Sequence, residues 1–318
     1  MELNSLLPLL ADGKFHSGSA LGAKLGVSRT AIWKALNALS EINLNFESVK
    51  GLGYRIEGGL DLLDLCRINE ALTQECCDLF DINLLLSVDS TNNWLIDTAH
   101  VSKKPYVVCL AELQSCGRGR RGRQWVSPFA KNLYLSIGFD LLGGVDVLNG
   151  LSLVIGIVVI RTLHSLGIPQ AKLKWPNDVW VNDKKIAGIL VELNGEPTTS
   201  WRVTVGIGLN VHMTESEGSE IDQAWTGVSH YLTCSRNELV AKLLIHFNEV
   251  LAVFKNEGFV AFMSEWEIND CLFGREISTG VPQLKGLASG VNEAGALLLQ
   301  TKECLKVVNA GEVSVRPV

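Results

Sequence analysis

Apolar side chains recur at helical spacing near the start of the chain. Leu21 and Leu25 form one pair, and Ile32, Leu36 and Leu39 repeat beyond Gly26. Gly26 permits a left-handed turn residue and Ser28 is placed to cap a second helix, so this stretch predicts helix, turn, helix. Two short extended runs about Gly51 and Gly53, between Phe46 and Ile56, predict a hairpin wing. From residue 62 onward extended and helical patterns alternate. Pro105 to Ala111 and Asn132 to Phe139 read as strands, and Asn149 to Leu166 as a very apolar helix. Lys172 to Val181 and Lys185 to Leu193 predict two strands joined by a polar turn, and Trp201 to Val211 a further strand. An antiparallel meander with the helix packed on it follows. Beyond Cys271, short extended runs split by Gly274, Gly280, Gly286, Gly290, Gly295 and Gly311 predict a small β-barrel. The expectation is an α+β chain divided at 1–61, 62–270 and 271–318.

Composition agrees with a folded protein of more than one domain: 318 residues, 47% hydrophobic and 19% charged. The net charge of −6 excludes a bulk positive field for nucleic acid. Locally, however, Lys24, Arg29, Lys34, Lys50 and Arg55 face only Glu41 and Glu47 between residues 24 and 55. The charge-free stretch from Val147 to Ile160 is 14 residues, short of the roughly 20 that span a bilayer. No membrane span is expected, and the opening Met1-Glu2-Leu3-Asn4 lacks a secretion signal, so a cytoplasmic location is expected. The eight cysteines form no C-x-x-C pair, and Cys76 and Cys77 are adjacent, which predicts reduced thiols. His16, His100, His164, His212, His230 and His246 form no cluster and are expected in structural or surface roles.

Candidate chemistry falls in three places. Arg29, Thr30, Trp33, Lys34 and Asn37 lie on the polar face of the second helix, a mixture suited to phosphates and base edges. A helical domain used for protein contact is the alternative. The loop Gly117-Arg-Gly-Arg-Arg-Gly-Arg123 matches G-x-G-x-x-G in letters, but the strand pattern that follows removes the dinucleotide-fold reading. No H-R-D, D-F-G or G-x-x-x-x-G-K-[ST] element occurs, which excludes kinase and P-loop readings. A surface nucleic-acid patch is one reading of its four arginines. Interleaved glycines favour another, a backbone that wraps an anion while the guanidinium groups neutralise it. Lys185, in an otherwise apolar strand, either faces solvent at an edge or faces an anion or carboxylate. Asn177-Asp178 is either an ordinary turn or a pair that orients a ligand or Mg²⁺.

Taken in order, Asp89-Ser-Thr-Asn92, Gln114, Gly117 to Arg123 with Trp125, Lys174-Trp-Pro-Asn-Asp178, Lys185-Ile-Ala-Gly-Ile-Leu-Val-Glu192, Gly206-Ile-Gly-Leu-Asn210 and Gly311 to Arg316 resemble the bifunctional biotin-protein ligases that also repress biotin operons. The resemblance covers the whole chain. It implies an N-terminal winged helix-turn-helix, a central mixed α/β ligase domain with an antiparallel sheet and a C-terminal SH3-like β-barrel. It also implies that biotin and ATP, with Mg²⁺, form biotinyl-5′-AMP, and that the acyl group passes to a lysine of the biotin carboxyl carrier protein. The adenylate-bound homodimer would bind operator DNA.

The same resemblance places Ser90, Thr91, Asn92 and Gln114 at biotin, with Arg118, Gly119 and Arg120 closing over the ligand. Lys185 would act at the reacting carboxylate and phosphate, with Arg118 and Arg120 as the other catalytic cations. Trp125 would lie near the adenylate, and Asn177, Asp178, Gly188 and Asn210 would support it. Gly18, Ser19, Ser28, Arg29, Thr30, Trp33, Lys34 and Asn37 are the expected DNA-contacting set, and no metal ligand is assigned. A carboxylate substrate brings its own nucleophile, so cations and alignment suffice without a Ser/His/Asp triad.

Overall fold

The computed structural model describes residues 3–98, 102–196, 200–280, 283–310 and 315–317. Expectations resting on His100 and on Gly311 to Ser314 lie outside the described residues. Helices α1 (Leu3–Leu10), α2 (Gly18–Leu25) and α3 (Arg29–Ala38) precede a hairpin of β1 (Glu47–Val49) and β2 (Gly53–Arg55). The expected turn forms. Gly26 ends α2 at φ 66°, and the Ser28 hydroxyl accepts from the Ala31 amide at 3.2 Å to cap α3. Leu21, Ile32, Leu36 and Leu39 are buried with Leu6, Leu7 and Leu10 of α1. Gly53 is required by close approach: its φ is +112°, and a Cβ there would stand 2.1 Å from the His16 carbonyl oxygen.

Asp61 to Asp64 crosses from this unit to the central sheet and is tied down by buried polar groups. Arg236 is fully buried. It pairs with Glu112 at 2.6 Å and donates to the Asp61 carbonyl, while Glu112 also accepts from the Leu63 amide at 2.7 Å. The central unit then runs α4 (Leu65–Ala71), α5 (Gln74–Leu79), β3 (Phe80–Leu85), α6 (Thr91–Asp97), β4 (Tyr106–Ala111), β5 (Leu133–Leu142) and α7 (Leu151–Ser165). It continues with β6 (Ala171–Lys174), β7 (Asp178–Val181), β8 (Lys184–Glu196), β9 (Ser200–Leu209), α8 (Arg236–Glu257) and α9 (Met263–Asn269).

The sheet order is β3-β4-β5-β9-β8-β7-β6, with β3 parallel to β4 and every other neighbour antiparallel. The single strand expected from Lys172 to Val181 is two strands. A cis Trp175–Pro176 bond sits in the turn between β6 and β7, and Lys174 then pairs with Asp178. Proline cannot donate a ladder hydrogen bond, which is why the run breaks there.

Val145–Ser165 is long and apolar enough to cross a bilayer by length and composition alone. In the fold, α7 packs on β6, β7 and β8 beside α8, with Leu153, Val154, Ile157, Val158 and Ile160 all buried, so it is a core helix. The C-terminal unit comprises β10 (Glu276–Thr279), β11 (Lys285–Val291), β12 (Leu297–Gln300), β13 (Leu305–Val308) and β14 (Val315–Pro317), antiparallel in the order β13-β12-β11-β10-β14. Its apolar side chains Ile277, Leu297 and Leu299 join the core of the central unit. The buried Trp175 indole donates to the Gly295 carbonyl at 3.0 Å, which fixes the two units together beside the β6–β7 turn.

Candidate active site

Side chains alternate along a strand, so register decides what faces the cavity. Tyr134 and Ser136 of β5, Gly206 and Gly208 of β9, and Gly188, Leu190 and Glu192 of β8 share one face. Leu135, Ile137, Val205, Ile207 and Ile189 point the other way, into the core. Gly188 and Gly208 are direct cross-strand partners, and the Trp125 indole lies over the gap they leave. A Cβ would stand 2.3 Å from that ring at Gly208 and 2.9 Å at Gly188, and one at Gly206 would stand 2.3 Å from Asn92 Oδ1. The glycines are therefore what let the Trp125 and Asn92 side chains lie close on the sheet.

The cavity encloses about 400 Å³ and is lined by Ser90, Thr91, Asn92, Gln114, Arg118, Gly119, Arg120, Trp125, Asn177, Asp178, Lys185 and Gly188. Lys185 reaches it through a bulge. Register shifts between Val179, opposite Ala187, and Trp180, opposite Lys185. The shift reverses the alternation, sending Ile186 into the core and Lys185 into the cavity. The Lys185 ammonium stands 2.7 Å from Asp178 Oδ1 and 5.3 Å from the centre of the Trp125 ring. Its backbone pairs with Ala224 and Thr226, so it is no solvent-facing edge residue. Lys174 approaches the other Asp178 oxygen at 3.5 Å and lies over Trp180.

Burial pushes the Asp178 carboxyl up, but Lys185 and Lys174 together outweigh it and hold the group below its ordinary value. Burial also pulls the Lys174 ammonium down, against the attraction of Asp178.

The arginine loop folds over this floor. The Gly119 amide donates to the Arg123 carbonyl at 2.7 Å, Arg121 is left-handed at φ 59°, and a Cβ on Gly117 would stand 2.4 Å from the Trp125 carbonyl. Arg120 donates to Asn177 Oδ1 at 3.0 Å and to the Ala310 carbonyl of the C-terminal unit. Arg118 bonds Glu192 at 2.6 Å and also the Asn93 side chain. At the far end, Gln114 Oε1 accepts from the Thr91 amide and hydroxyl at 2.9 and 3.1 Å, and Gln114 Nε2 donates to Ser127.

Asn210 departs from the expectation. It is buried outside the cavity lining, where its amide donates to the Thr226 carbonyl at 3.2 Å and its backbone pairs with Ile186 and Val228. It holds the 224–228 segment against β8. Among the residues expected to contact DNA, Ser19, Ser28, Arg29, Thr30, Trp33, Lys34 and Asn37 are exposed. Gly18 is buried, because a Cβ there would press on Arg29 and the Tyr54 ring at 3.2 Å. It seats α2 under those residues. The reading from sequence missed Lys174, Ser136, Glu192, Arg316 and the Asp222 to Ala224 segment. Of these, Lys174, Glu192 and Arg316 stood inside matched motifs, and the period of two from Gly188 through Leu190 places Glu192 on the same face of the sheet.

Among the described residues the cysteines are free, and no three His, Cys, Asp or Glu side chains group as a metal cage. A seven-stranded sheet carrying this cationic cleft defines the class of the Biotin/lipoate A/B protein ligase family, which residues 85–210 match. Residues 2–55 match an HTH domain and 273–316 the Biotin protein ligase C terminal domain.

Across its whole length the chain is 39% identical to the bifunctional ligase/repressor BirA of Salmonella typhimurium, over 98% of this chain and 97% of that protein. Against the BirA of Escherichia coli it is 38% identical over 98% and 96%. The biotin protein ligase of Aquifex aeolicus, solved with biotin and ATP, superposes at a TM-score of 0.65 with 32% identity, over 75% of this chain and 99% of that one. The chain belongs to the bifunctional ligase/repressor family of biotin protein ligases.

Proposed function

We propose that this protein is a biotin–[acetyl-CoA-carboxylase] ligase that also represses the biotin operon from the cytoplasm. A biotin carboxylate oxygen attacks the α-phosphorus of ATP, the bond to the leaving pyrophosphate breaks, and biotinyl-5′-AMP forms. A neutral lysine amine of the biotin carboxyl carrier protein then attacks the acyl carbon, AMP departs, and the amine loses its proton as the amide forms. The observation that carries this reading is one cavity with a glycine floor at one end and Lys185, Lys174, Arg118 and Arg120 along it. Neither step needs a protein nucleophile, since alignment and neutralisation of phosphate charge suffice.

Ser90, Thr91, Asn92 and Gln114 bind the ring end, and Lys185 and Arg120 meet the carboxylate and α-phosphate. Gly119 lets the loop approach the ligand, and Trp125 lies against the adenylate. A Mg²⁺ accompanying the triphosphate would need few protein ligands. Of the cavity-lining carboxylates, Asp178 is already held by two lysines and Asp183 by Arg275 at 2.6 Å, which leaves the exposed Asp222 as the candidate. A Mg²⁺ held there would supply charge neutralisation on the phosphates. The exposed face of α3 reads operator DNA in a homodimer stabilised by the adenylate, since two recognition helices must span two half-sites together.

The experiment is pyrophosphate release with Mg-ATP, with and without biotin, followed by transfer of label to an added carrier domain. Biotin-dependent release with transfer is expected. Tight biotin binding without release would make the protein a ligand sensor instead.

A further inference from the structure

Trp180 stands among three lysines on one face of the sheet. It is the cross-strand partner of Lys172 on β6 and, across the bulge, of Lys185 on β8. Lys174 follows Lys172 at the period of two, and its ammonium lies 4.7 Å from the centre of an indole ring of Trp180. Lys172 turns away and donates to the Ile268 carbonyl at 3.0 Å. Among the described residues the Trp180 indole N–H is buried without an acceptor, although a buried indole ordinarily finds one. The cation on its face is therefore the polar contact that the ring makes.

Charge accounting gives that contact a purpose. Asp178 is one negative charge between two ammonium groups, at 2.7 Å from Lys185 and 3.5 Å from Lys174, and all three side chains are largely buried. The lysines thus carry one positive charge that the carboxylate does not match. A second carboxylate would hold it, but would also neutralise what an incoming phosphate is to meet. An aromatic face attracts a cation through its quadrupole and adds no counter-charge. The other groups around Lys174 do not supply the balance. Burial works hardest against its charge, Asp178 favours it and Lys185 opposes it. Cys271 would favour it only as a thiolate, and burial pushes that thiol up to about 12. Asp270 bridges to the neighbouring Leu173 and feels burial and the backbone amides of Leu272 and Phe273. From α7, Arg161 turns to Glu265 and His164 to the Ala171 carbonyl.

We infer that Trp180 is a positioning residue for Lys174: its indole face holds the ammonium charged and off Asp178, which keeps one unmatched positive charge in the cavity for a phosphate group. Its part in the reaction rests on the ligase reading above, whereas the hold on Lys174 is a property of the free protein.

Trp180→Leu removes the face and keeps an apolar side chain. Trp180→Met is a second ring-free variant should the first fail to fold, and Trp180→Phe retains a smaller face. Acetic anhydride acylates only a neutral amine, so its rate at Lys174 against pH, read by peptide mass spectrometry on the full chain without ligand, reports the loss of the proton. The midpoint should fall by about one pH unit in the ring-free variants and by less in Trp180→Phe, the size of a desolvated cation–π contact. In pyrophosphate release, the alkaline fall of kcat/KM for ATP should begin about one pH unit earlier as well. In a Lys174→Met background Trp180→Leu should cost less than about twofold more, because the ring then has no cation to hold. An unchanged midpoint in a folded ring-free variant, a loss of activity equal at every pH, or full additivity with Lys174→Met would overturn the proposal. If the wild type releases no pyrophosphate, the ligase reading fails while the acylation midpoints still decide what Trp180 does to Lys174.

Discussion

Two carboxylates flank β6, and they titrate in opposite directions. Asp178 is the cross-strand partner of Lys174, and Asp270 bridges to the neighbouring Leu173. For both, burial is the largest influence and pushes the carboxyl up. At Asp178 two ammonium groups reverse that push. At Asp270 only backbone N–H groups of Leu272 and Phe273 oppose it, and the carboxyl is pushed up to about 6. The same low-dielectric setting therefore makes one carboxylate a fixed anion and the other a group that ionises near neutrality. Burial alone does not mark a functional acid. What distinguishes the cleft is that two ammonium groups hold its buried carboxylate, so Asp178 stays charged between Lys174 and Lys185.

The severest way to break this contrast is to remove Lys185. Lys185→Ala should lower the adenylation rate by about 10²- to 10³-fold, the range for one preorganised electrostatic donor. Rapid-quench measurement of pyrophosphate release checks it, and a loss below about threefold would take Lys185 out of the chemistry. The same variant should move Asp178 toward Asp270 in behaviour, raising its carboxyl. In the wild type the sign is the opposite: a lowered folded value contributes stability above the ordinary carboxylate range, lost only as pH falls through the folded value.

Lys174→Met is a milder test, because its ammonium sits at 3.5 Å rather than 2.7 Å and its stem packs on Trp180. Methionine keeps the stem and deletes the charge. The expected loss in adenylation is about tenfold, roughly 1.4 kcal/mol, read by the same assay. A loss as large as that of Lys185→Ala would mean that the two lysines share one role.

Much of this was legible along the chain, because it is local. The Gly26 turn, the Ser28 cap, the wing glycines and the glycine–arginine loop each carry their conformational reason within a few residues. What escaped depends on register. The bulge opposite Trp180 decides that Lys185 faces the cavity and Ile186 the core, and nothing within Lys185 to Val191 announces it. Asn210 sits in a motif shared with Gly206 and Gly208, yet it follows the end of β9 and turns to Thr226, so motif membership overstated its place. Glu192 was overlooked for the converse reason. Its partners Asn92 and Arg118 lie 100 and 74 residues away, a distance no periodicity spans.

The gentlest test concerns Asp270, which pins the end of α9 to the start of the C-terminal unit by accepting from the Leu272 amide at 2.8 Å. Its folded value of about 6 stands above the ordinary 3.8. Below the ordinary value both states are protonated and the group contributes nothing. Between there and about 6 the unfolded chain has ionised while the folded one holds its proton, so stability falls as pH rises and stays lower above the folded value. Two units correspond to about 3 kcal/mol at most. Asp270→Asn keeps the acceptor for Leu272 and removes the titration. Thermal unfolding from pH 4.5 to 7.5 should therefore show the variant gaining on the wild type as pH rises, by roughly 2–4 °C per kcal/mol. Parallel pH profiles for the two proteins would mean that Asp270 reaches solvent, and that matched charge and water, rather than matched charge alone, separate the two carboxylates.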